Sequence, residues 1–165
     1  MKHLIIFFLL TSACYSQEKT KEIPPLENGL IVYSDVVKVD SVSATELYNR
    51  AKKWIALRYK SANDVIQIDN KEDKILIGKG NFNIKYYTRN PVIGHTIQIE
   101  TREERYKYTI SNFIYSDNKG DSFAIEKFPK GWAGKRKLYR TIDDKINTLI
   151  SDLKKVIATE VDDDW

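Results

Sequence analysis

Cysteine and histidine are nearly absent from this sequence. Its 165 residues include one cysteine, Cys14, and two histidines, His3 and His95. A disulfide framework needs pairs of cysteines, so hydrophobic burial must hold the folded part together. A zinc site would have to gather carboxylates around a single histidine, and no spacing in the sequence proposes one. We therefore predict no metal site and no bound cofactor.

Long hydrophobic runs are also scarce. The longest covers the seven residues from Leu4 to Leu10, whereas a membrane-spanning helix needs about 20. A basic start, Met1-Lys2-His3, precedes this run, and small or polar residues follow it up to Ser16. This arrangement is typical of a secretory signal peptide, residues 1–16. We expect an exported protein of the periplasm, the cell surface or the surrounding medium.

Two processing routes compete at the end of this segment. Signal peptidase I requires small residues three and one before the cut, which Cys14 and Ser16 supply, and it would release Gln17 as the new N-terminus. Lipoprotein processing would instead attach a diacylglycerol to Cys14, but Thr11 stands where a leucine is usual. The imperfect motif favours plain secretion, with a lipid anchor on Cys14 as the alternative.

A large excess of charge of either sign is missing as well. Lysine and arginine number 27 against 23 aspartate and glutamate residues, a net charge of +4. An exported protein of nearly balanced charge is a poor candidate for binding nucleic acid. Without the leader, the chain is still long enough for one ordinary hydrophobic core.

The rest of the chain divides into a lead-in, one domain and a tail. Residues 17–29 are polar, contain Pro24-Pro25 and predict a flexible lead-in that ends in a turn at Asn28-Gly29. Residues 30–160 predict a single domain. The acidic residues 161–165 predict a frayed tail.

Hydrophobic periodicity predicts the first elements of this domain. Leu30 to Val39 alternates as a strand. A capping box from Ser43 to Glu46 then begins an amphipathic helix that continues to Tyr59. From Asp64 to Tyr115 the period changes to two, and polar turns separate four strands of an antiparallel meander.

The second half of the chain completes the predicted fold. Residues 116–140 show no sustained period and predict a long loop, with room for a short ordered piece at Phe123-Ala124-Ile125. Thr141 to Ala158 predicts a second amphipathic helix. The order strand, helix, four strands, helix indicates an α+β domain, a curved antiparallel sheet of about five strands with two helices on one face. Gly78 and Gly80 share a strand face with Phe82, which predicts a bend or a helix packed very close to the sheet.

Four segments carry a resemblance to a known family. They are Glu46–Ala56 (ELYNRAKKWIA), Val65-Ile66-Gln67, Ile77-Gly78-Lys79-Gly80 and Arg105–Ser111 (RYKYTIS). In these segments the sequence resembles exported domains of unknown function from Bacteroidota, domain of unknown function 4468, described as having a TATA-binding-protein-like (TBP-like) fold. The resemblance implies that fold over about residues 30–115, completed by the terminal helix. It implies no activity, catalytic residue or cofactor.

Residue patterns of enzymes are weak in this sequence. His95 follows Gly94 at a predicted turn, and we interpret it as a strand-edge residue because no nucleophile-elbow motif accompanies it. Glu100, Glu103 and Glu104 lie near arginines at a predicted hairpin tip, which is typical of a solvated charge cluster. We therefore predict a protein that is not an enzyme, with a hydrolase of envelope polymers as the weaker alternative.

The first candidate binding surface is the 127–140 loop. It has six basic residues, no acidic residue and three aromatic residues. Its candidate contact residues are Trp132, Lys135, Arg136 and Lys137. Cations interleaved with aromatic rings bind phosphates, anionic lipid headgroups or polyanionic glycans. The competing interpretation is a solvated connecting loop.

The second candidate is the sheet face turned away from the helices. Residues of one parity on the long strand, with two neighbours on adjacent strands, form it: Lys79, Asn81, Lys85, Tyr87, Gln98 and Lys107. A curved polar face with a tyrosine is suited to binding a partner, although ordinary solvent-facing sheet has the same pattern.

Together these features favour an exported, non-enzymatic binding module of the cell envelope. It would act through the open sheet face or the 127–140 loop, on an unknown envelope protein or an anionic ligand. The alternative is a structural envelope protein that contacts the membrane through a lipid on Cys14 or through the 127–140 loop.

Overall fold

A computed structural model describes residues 24–59, 65–128, 131 and 134–159 of the chain. The signal peptide, both cleavage routes, Cys14, Trp132 and the acidic tail lie outside these residues. Within the described ranges, no helix is long and apolar enough to cross a membrane.

The described residues form eight strands and two helices. The strands are β1 (Leu26–Glu27), β2 (Leu30–Ile31), β3 (Tyr33–Lys38), β4 (Ile66–Asn70), β5 (Ile75–Asn83), β6 (Val92–Arg102), β7 (Arg105–Ser116) and β8 (Ser122–Ala124). The helices are α1 (Ala44–Arg58) and α2 (Lys135–Ala158), and a short 3₁₀ helix covers Ile125–Lys127.

Six of these strands form one antiparallel sheet. The order across it is β3-β7-β6-β5-β4, and β8 pairs with residues 114–116 of β7, beyond the part of β7 that pairs with β3. α1 packs on β5, β6 and β7 and against α2. The predicted α+β fold is confirmed. The sheet has one strand more than expected because β8 lies in the segment predicted to be a loop.

The end of the predicted lead-in is ordered. Asn28 and Gly29 have positive φ angles of 51° and 80°, and they join β1 to β2 as a two-residue turn of the kind that Asn-Gly favours. The strand predicted from Leu30 is therefore interrupted, because Leu30 and Ile31 pair with β1 and the main sheet begins at Tyr33.

The core lies between the sheet and the two helices. Every second residue of β6 from Ile93 to Thr101 is buried, and α2 contributes a buried stripe from Leu138 to Ile157. At Asn112, where φ is 56°, β7 bulges relative to β6, and its buried positions change from even to odd numbers.

Polar side chains cap the start of α1 and connect α1 to the end of α2. Ser43 Oγ accepts a hydrogen bond from the Glu46 amide at 3.2 Å, which confirms the predicted helix start. The Glu46 carboxylate does not close the capping box but pairs with Arg50 at 2.7 Å. Arg50 is buried and donates to the Ile157 carbonyl at 3.0 Å, so it satisfies the C-terminal end of α2.

α2 begins six residues earlier than the predicted Thr141. Leu138 is fully buried and extends the stripe of Ile142 and Ile146 by one more turn. Lysine and arginine are good helix formers, so the basic cluster does not stop the helix. The residues predicted as the central part of a loop, Lys135, Arg136 and Lys137, are its first turn.

The close approach predicted at the strand glycines is confirmed. Tyr59, the residue that ends α1, lies on Gly80, where an added Cβ atom would be 2.5 Å from the tyrosine ring. At Gly78 an added Cβ would be 3.3 Å from Val65 Cγ1. A side chain at position 80 would therefore displace Tyr59.

Candidate functional site

The most exposed aromatic ring on the described surface is Tyr87, in the turn that follows β5. Two backbone hydrogen bonds of 2.9 Å join Tyr86 and Arg89 and close this turn. Tyr87 has φ = 52°, a left-handed conformation that is unusual for a bulky residue. The residue is 65% exposed. A strained backbone here holds an aromatic ring in solvent.

A second segment, residues 115–121, holds this turn in place through hydrogen bonds and an ion pair. Arg89 Nη1 binds Asp117 Oδ2 at 2.7 Å, and the Tyr115 hydroxyl donates to the same carboxylate oxygen at 3.2 Å. The Asp117 side chain is fully buried. Residues 117–121 form a turn around its other oxygen, which accepts the Lys119 and Asp121 amides. The Tyr87 turn therefore rests on a satisfied polar cluster.

The start of α2 covers one side of Tyr87. Lys137 Nζ lies 4.5 Å from the centre of the Tyr87 ring, a cation–π contact. Tyr86 meets Tyr87 edge-on with ring centres 4.8 Å apart. Gly134 lies directly on the Tyr86 hydroxyl, where any Cβ atom would overlap it. Burial raises the pKa of Tyr86 to about 12.

We call this surface the Tyr87 corner and define it as Tyr87, Lys85, Arg136 and Lys137. All four residues are exposed, and none of the three cations has an acidic ion-pair partner among the described residues. The first turn of α2 has no acidic residue, and its N-cap, Gly134, has no side-chain cap. The positive end of the helix dipole adds to these charges, so the corner carries a positive potential.

The predicted site residues are only partly brought together. Tyr87 and Lys137, which belonged to two separate candidate surfaces, are in contact. Lys135 turns away, since its Nζ lies 3.4 Å from the Phe128 carbonyl oxygen and 5.1 Å from the Tyr139 ring. Lys79 is exposed on the open face of β5, paired with Thr96, and is not part of the corner.

The open sheet face, expected to be polar, is of mixed character. Asn81 and Lys107 are exposed on it and Gln98 is half-buried, but Val36, Val92 and Ile114 are exposed there as well. A groove of about 420 Å³ lies on it near the β6–β7 hairpin, between Val36, Glu100 and Arg105. Glu103 and Glu104 are exposed, as expected of a solvated cluster. They also bind the segment that leads into α1, because Glu103 accepts the Ala44 amide at 3.1 Å and Glu104 accepts the Ser41 amide at 3.2 Å.

The prediction for His95 is wrong. It lies within the central strand β6, on the helix-facing side, and is only 4% exposed. Gly94 is not at a turn but pairs with Asn81 and Ile114 inside the sheet. The Tyr59 hydroxyl and His95 Nε2 are 2.9 Å apart in a hydrogen bond. Burial, together with the charge of Arg58, lowers the pKa of His95 to about 4.

Sequence reasoning also missed two cations near His95. Arg58 and Lys145 are exposed and line a pocket of about 130 Å³ together with Tyr59 and His95. Gly80 was the usable signal, since a glycine on the helix-facing side of a strand indicates that a large side chain lies over it. Which side chain lies there could not be read from spacing.

Comparison with known proteins agrees with this architecture. A TBP-like protein from Parabacteroides distasonis superposes with a TM-score of 0.74 at 17% identity, over 85% of this chain and 100% of that chain. A DUF4468 family protein from Bacteroides ovatus superposes with a TM-score of 0.71 at 14% identity, over 84% of this chain and 92% of that chain. Identities this low show the fold alone. No functionally curated protein matches the sequence.

A match between the sequence of the central sheet and a family model assigns the chain to a family. The family described as "domain of unknown function (DUF4468) with TBP-like fold" matches residues 33–116, which run from the start of β3 to the end of β7. That range covers half of the chain and contains α1, the meander and the turn that presents Tyr87. The chain belongs to the DUF4468 family of TBP-like domains.

Proposed function

We propose that this protein is an exported, non-enzymatic binding module of the cell envelope whose ligand is an anionic, hydrated polymer such as a phosphate- or carboxylate-bearing polysaccharide. The Tyr87 corner binds it. One observation carries the proposal: a 65% exposed tyrosine is held in a left-handed conformation, directly beside a lysine that forms no ion pair with a described residue.

The backbone conformation of Tyr87 supports a binding role. A non-glycine residue in the left-handed region costs about 1–3 kcal/mol, and such residues cluster at functional sites. Glycine or asparagine would relieve this strain in a tight turn. A tyrosine that is 65% exposed gives the fold little buried area in return, so its use lies in what the ring meets outside the protein.

The charges at the corner indicate the chemistry of the ligand. Arg136 and Lys137 lie in the first turn of α2, at its positive end, and Lys85 lies two residues before Tyr87. No described acidic residue forms an ion pair with any of the three. Cations at this end of a helix are unfavourable for the helix itself. An anion would be attracted by all of them together with the free amides of the first turn.

The composition of the corner favours a polymer over an apolar partner. Tyr87 is the one large hydrophobic side chain exposed there among the described residues; the others lie elsewhere on the surface. Protein interfaces usually have an apolar centre, and membrane-surface anchors insert apolar side chains. A single ring surrounded by cations instead fits a sugar ring that carries an acidic substituent.

Binding of defined polyanions tests this proposal. Polygalacturonate and polyphosphate are titrated into the full chain by calorimetry, with neutral dextran as the comparison. We expect saturable binding of at least one polyanion that weakens with salt, as contacts between opposite charges do. Tyr87→Ala and Lys137→Gln should each weaken it at least fivefold, whereas Lys79→Gln, which removes the same charge from the open sheet face, should leave it unchanged.

Other results would replace or overturn the proposal. Binding to phosphatidylglycerol vesicles but to neither polymer, with the same dependence on Tyr87 and Lys137, would make the ligand a membrane. Binding to an acidic peptide alone would make it a protein. No binding to any of these probes, or equal loss in Lys79→Gln and Lys137→Gln, would show that the corner is not a site.

A further inference from the structure

The open sheet face, which is turned away from the two helices, has a cluster of cations at one end. Four exposed cations lie on it beside the β6–β7 hairpin: Lys38 from β3, Arg102 from β6, and Arg105 and Lys107 from β7. None of them forms an ion pair with a described residue. We call these four residues the cationic end.

The strand register places three of these cations directly opposite one another. Arg105 pairs with Lys38 on one side and with Arg102 on the other. Like charges directly opposite each other destabilise a sheet. Glu100 lies on the same stretch of the face, opposite Lys107, but it is half-buried and accepts a hydrogen bond from Gln98 at 3.0 Å. The fold therefore keeps a row of positive charge here at a cost to its own stability.

The other end of the face combines acidic and apolar residues. Glu27, Leu30, Ile114 and Glu126 line a groove of about 380 Å³ there, and we call them the acidic end. The Glu126 carboxylate accepts the Ile31 amide at 3.0 Å. Neither Glu27 nor Glu126 forms an ion pair with a described residue. The two ends of one face are therefore opposite in charge.

Each end also has an exposed apolar side chain among its charges. Val36 is 55% exposed and lines a groove of about 420 Å³ together with Arg105 and Lys107. At the acidic end, Leu30 is 57% exposed and Ile114 is 39% exposed. An apolar centre with a polar rim is the usual composition of a protein interface. The two ends thus match in apolar character as well as in charge.

The row of side chains halfway between the two ends is complementary to itself. Across the sheet it consists, in register, of Ser34, Thr109, Gln98, Ile77 and Ile68. Hydroxyl and amide groups both donate and accept hydrogen bonds, so the polar half of the row is able to bind the same half of another copy. Ile68, at the apolar end of the row, is 48% exposed and would meet its own counterpart.

We propose that the open sheet face binds a second copy of this chain in a symmetric, face-to-face dimer. A two-fold axis along the middle row reverses the direction of β7, so the cationic end of each copy lies on the acidic end of the other, and each contact occurs twice. Five strands at a spacing of about 4.8 Å and a β7 stretch of about 30 Å give the face an area of about 700 Å². A standard interface buries about 800 Å² per partner.

The charges favour a second copy over other partners. A polyanion would be attracted by the cationic end but repelled by Glu27 and Glu126, and a polycation would meet the reverse. A fitting partner needs both charges in the reversed order along the face, and this chain has that order itself. The interface shares no residue with the Tyr87 corner, so it is independent of the polymer binding proposed there.

Sedimentation velocity of the full chain at increasing protein concentration tests the proposal. We expect a monomer–dimer equilibrium with a dissociation constant of about 10 μM, at the weak end for interfaces of this size, that rises with salt. Arg105→Glu and Glu27→Lys should each raise it about tenfold, because each variant places like charges together at both contacts of the symmetric dimer.

An equimolar mixture of these two variants is the sharpest measurement. In the mixed dimer one contact has both charges reversed and the other has both native charges, so association should return to that of the parent chain. Lys53→Glu is the matched control, because Lys53 is exposed on α1, on the other side of the sheet, and it should leave association unchanged. Tyr87→Ala should also leave association unchanged, which separates this proposal from the polymer binding.

Three outcomes would overturn the proposal. One is sedimentation as a monomer at every concentration. Another is an equal effect of Lys53→Glu and Arg105→Glu, which would mean that net charge alone controls association. The third is association that neither single variant weakens, or that the mixture of folded variants does not restore, since the two ends would then not meet.

Discussion

The two sides of α2 differ in how their charges are satisfied. On the side that faces β3, a cleft of about 550 Å³ contains Tyr33, Asp35 and Lys154. Lys154 Nζ binds Asp35 at 2.9 Å, and the Tyr33 hydroxyl donates to Asp143 at 2.9 Å. On the side that faces β5, the pocket of about 130 Å³ beside His95 contains Arg58 and Lys145, and the Tyr87 corner contains three further cations. None of these cations has an ion-pair partner among the described residues.

This difference shows that the size of a cavity is a poor guide to a binding site. The β3 side has the larger cleft, but its polar groups already bind one another, and a ligand would first have to replace those bonds. The β5 side has less space, yet its cations form no ion pair with a described residue that a ligand would have to replace. The side of α2 that faces β5, which has the smaller cavity, is therefore the better candidate for a ligand.

The pH dependence of stability should show the largest effect, and it originates on the β5 side. The pKa of His95 is about 4 in the native state, against about 6.5 in an unfolded chain. Between these values the unfolded chain binds a proton that the native protein does not, so stability falls as the pH decreases from 6.5 to 4. The loss should reach about 2–3 kcal/mol, measured by urea unfolding across this range.

A variant without the imidazole is the control for this prediction. His95→Phe keeps an aromatic ring beside Phe82 and Phe113 and should flatten the dependence between pH 4 and 6.5. The carboxylates Asp69 and Asp117 have lowered pKa values, so their contribution is lost at more acidic pH. An unchanged slope in His95→Phe would show that His95 is not the group that titrates.

Replacement of Gly80 should have the next largest effect. In Gly80→Ala the new methyl group would lie 2.5 Å from the Tyr59 ring, and overpacking of this kind costs about 1–3 kcal/mol. Gly94→Ala is the matched control in the adjacent strand, because its nearest neighbour, the Ile114 side chain, is 3.8 Å away. Urea unfolding should separate the two variants. Equal stabilities would mean that Tyr59 moves aside without cost.

The elements that the sequence predicted well are those with a strong local signal. The Ser43 cap, the alternation along β6 and the paired glycines at positions 78 and 80 are each visible within a few residues of sequence. The start of α2 was missed because its first turn has a single buried residue, Leu138, among cations that resemble a connecting loop. β8 has only three residues, too few for a periodic pattern.

The candidate sites depend on contacts that no local pattern contains. Tyr87 and Lys137 come from different elements, and only the packing of α2 along β5 brings them together. His95 was misplaced because Gly94 resembled a turn residue, whereas its strand continues through both positions. Arg58 and Lys145 became candidates only when the fold placed them around one pocket.

Loss of one hydrogen bond on the β3 side should have a smaller effect. Tyr33→Phe removes the hydroxyl that donates to Asp143, and a bond of this kind contributes about 1 kcal/mol. Asp143 keeps its bond from Asn147 at 3.0 Å, so the carboxylate is not left without a partner. Tyr87→Phe is the control on the β5 side, where the ring is exposed, and its stability in urea should match that of the parent chain.

The smallest expected effect compares one lysine from each side of α2. Lys154→Gln removes the ion pair with Asp35 and the cation over the Tyr108 ring at 5.6 Å; both ion-pair partners are well exposed, so the cost should be about 0.5 kcal/mol. Lys145→Gln removes a cation whose only charged neighbour in the pocket is Arg58. It should leave stability unchanged or raise it slightly, because repulsion between two cations is relieved.

The difference in stability between Lys154→Gln and Lys145→Gln tests the comparison between the two sides of α2 directly. If Lys145 is kept for binding, its removal costs no stability. If Lys145→Gln destabilises the protein as much as Lys154→Gln in urea, then Lys145 stabilises the native state through its own contacts. The β5 side would then be as satisfied as the β3 side, and its open cations would no longer indicate a ligand.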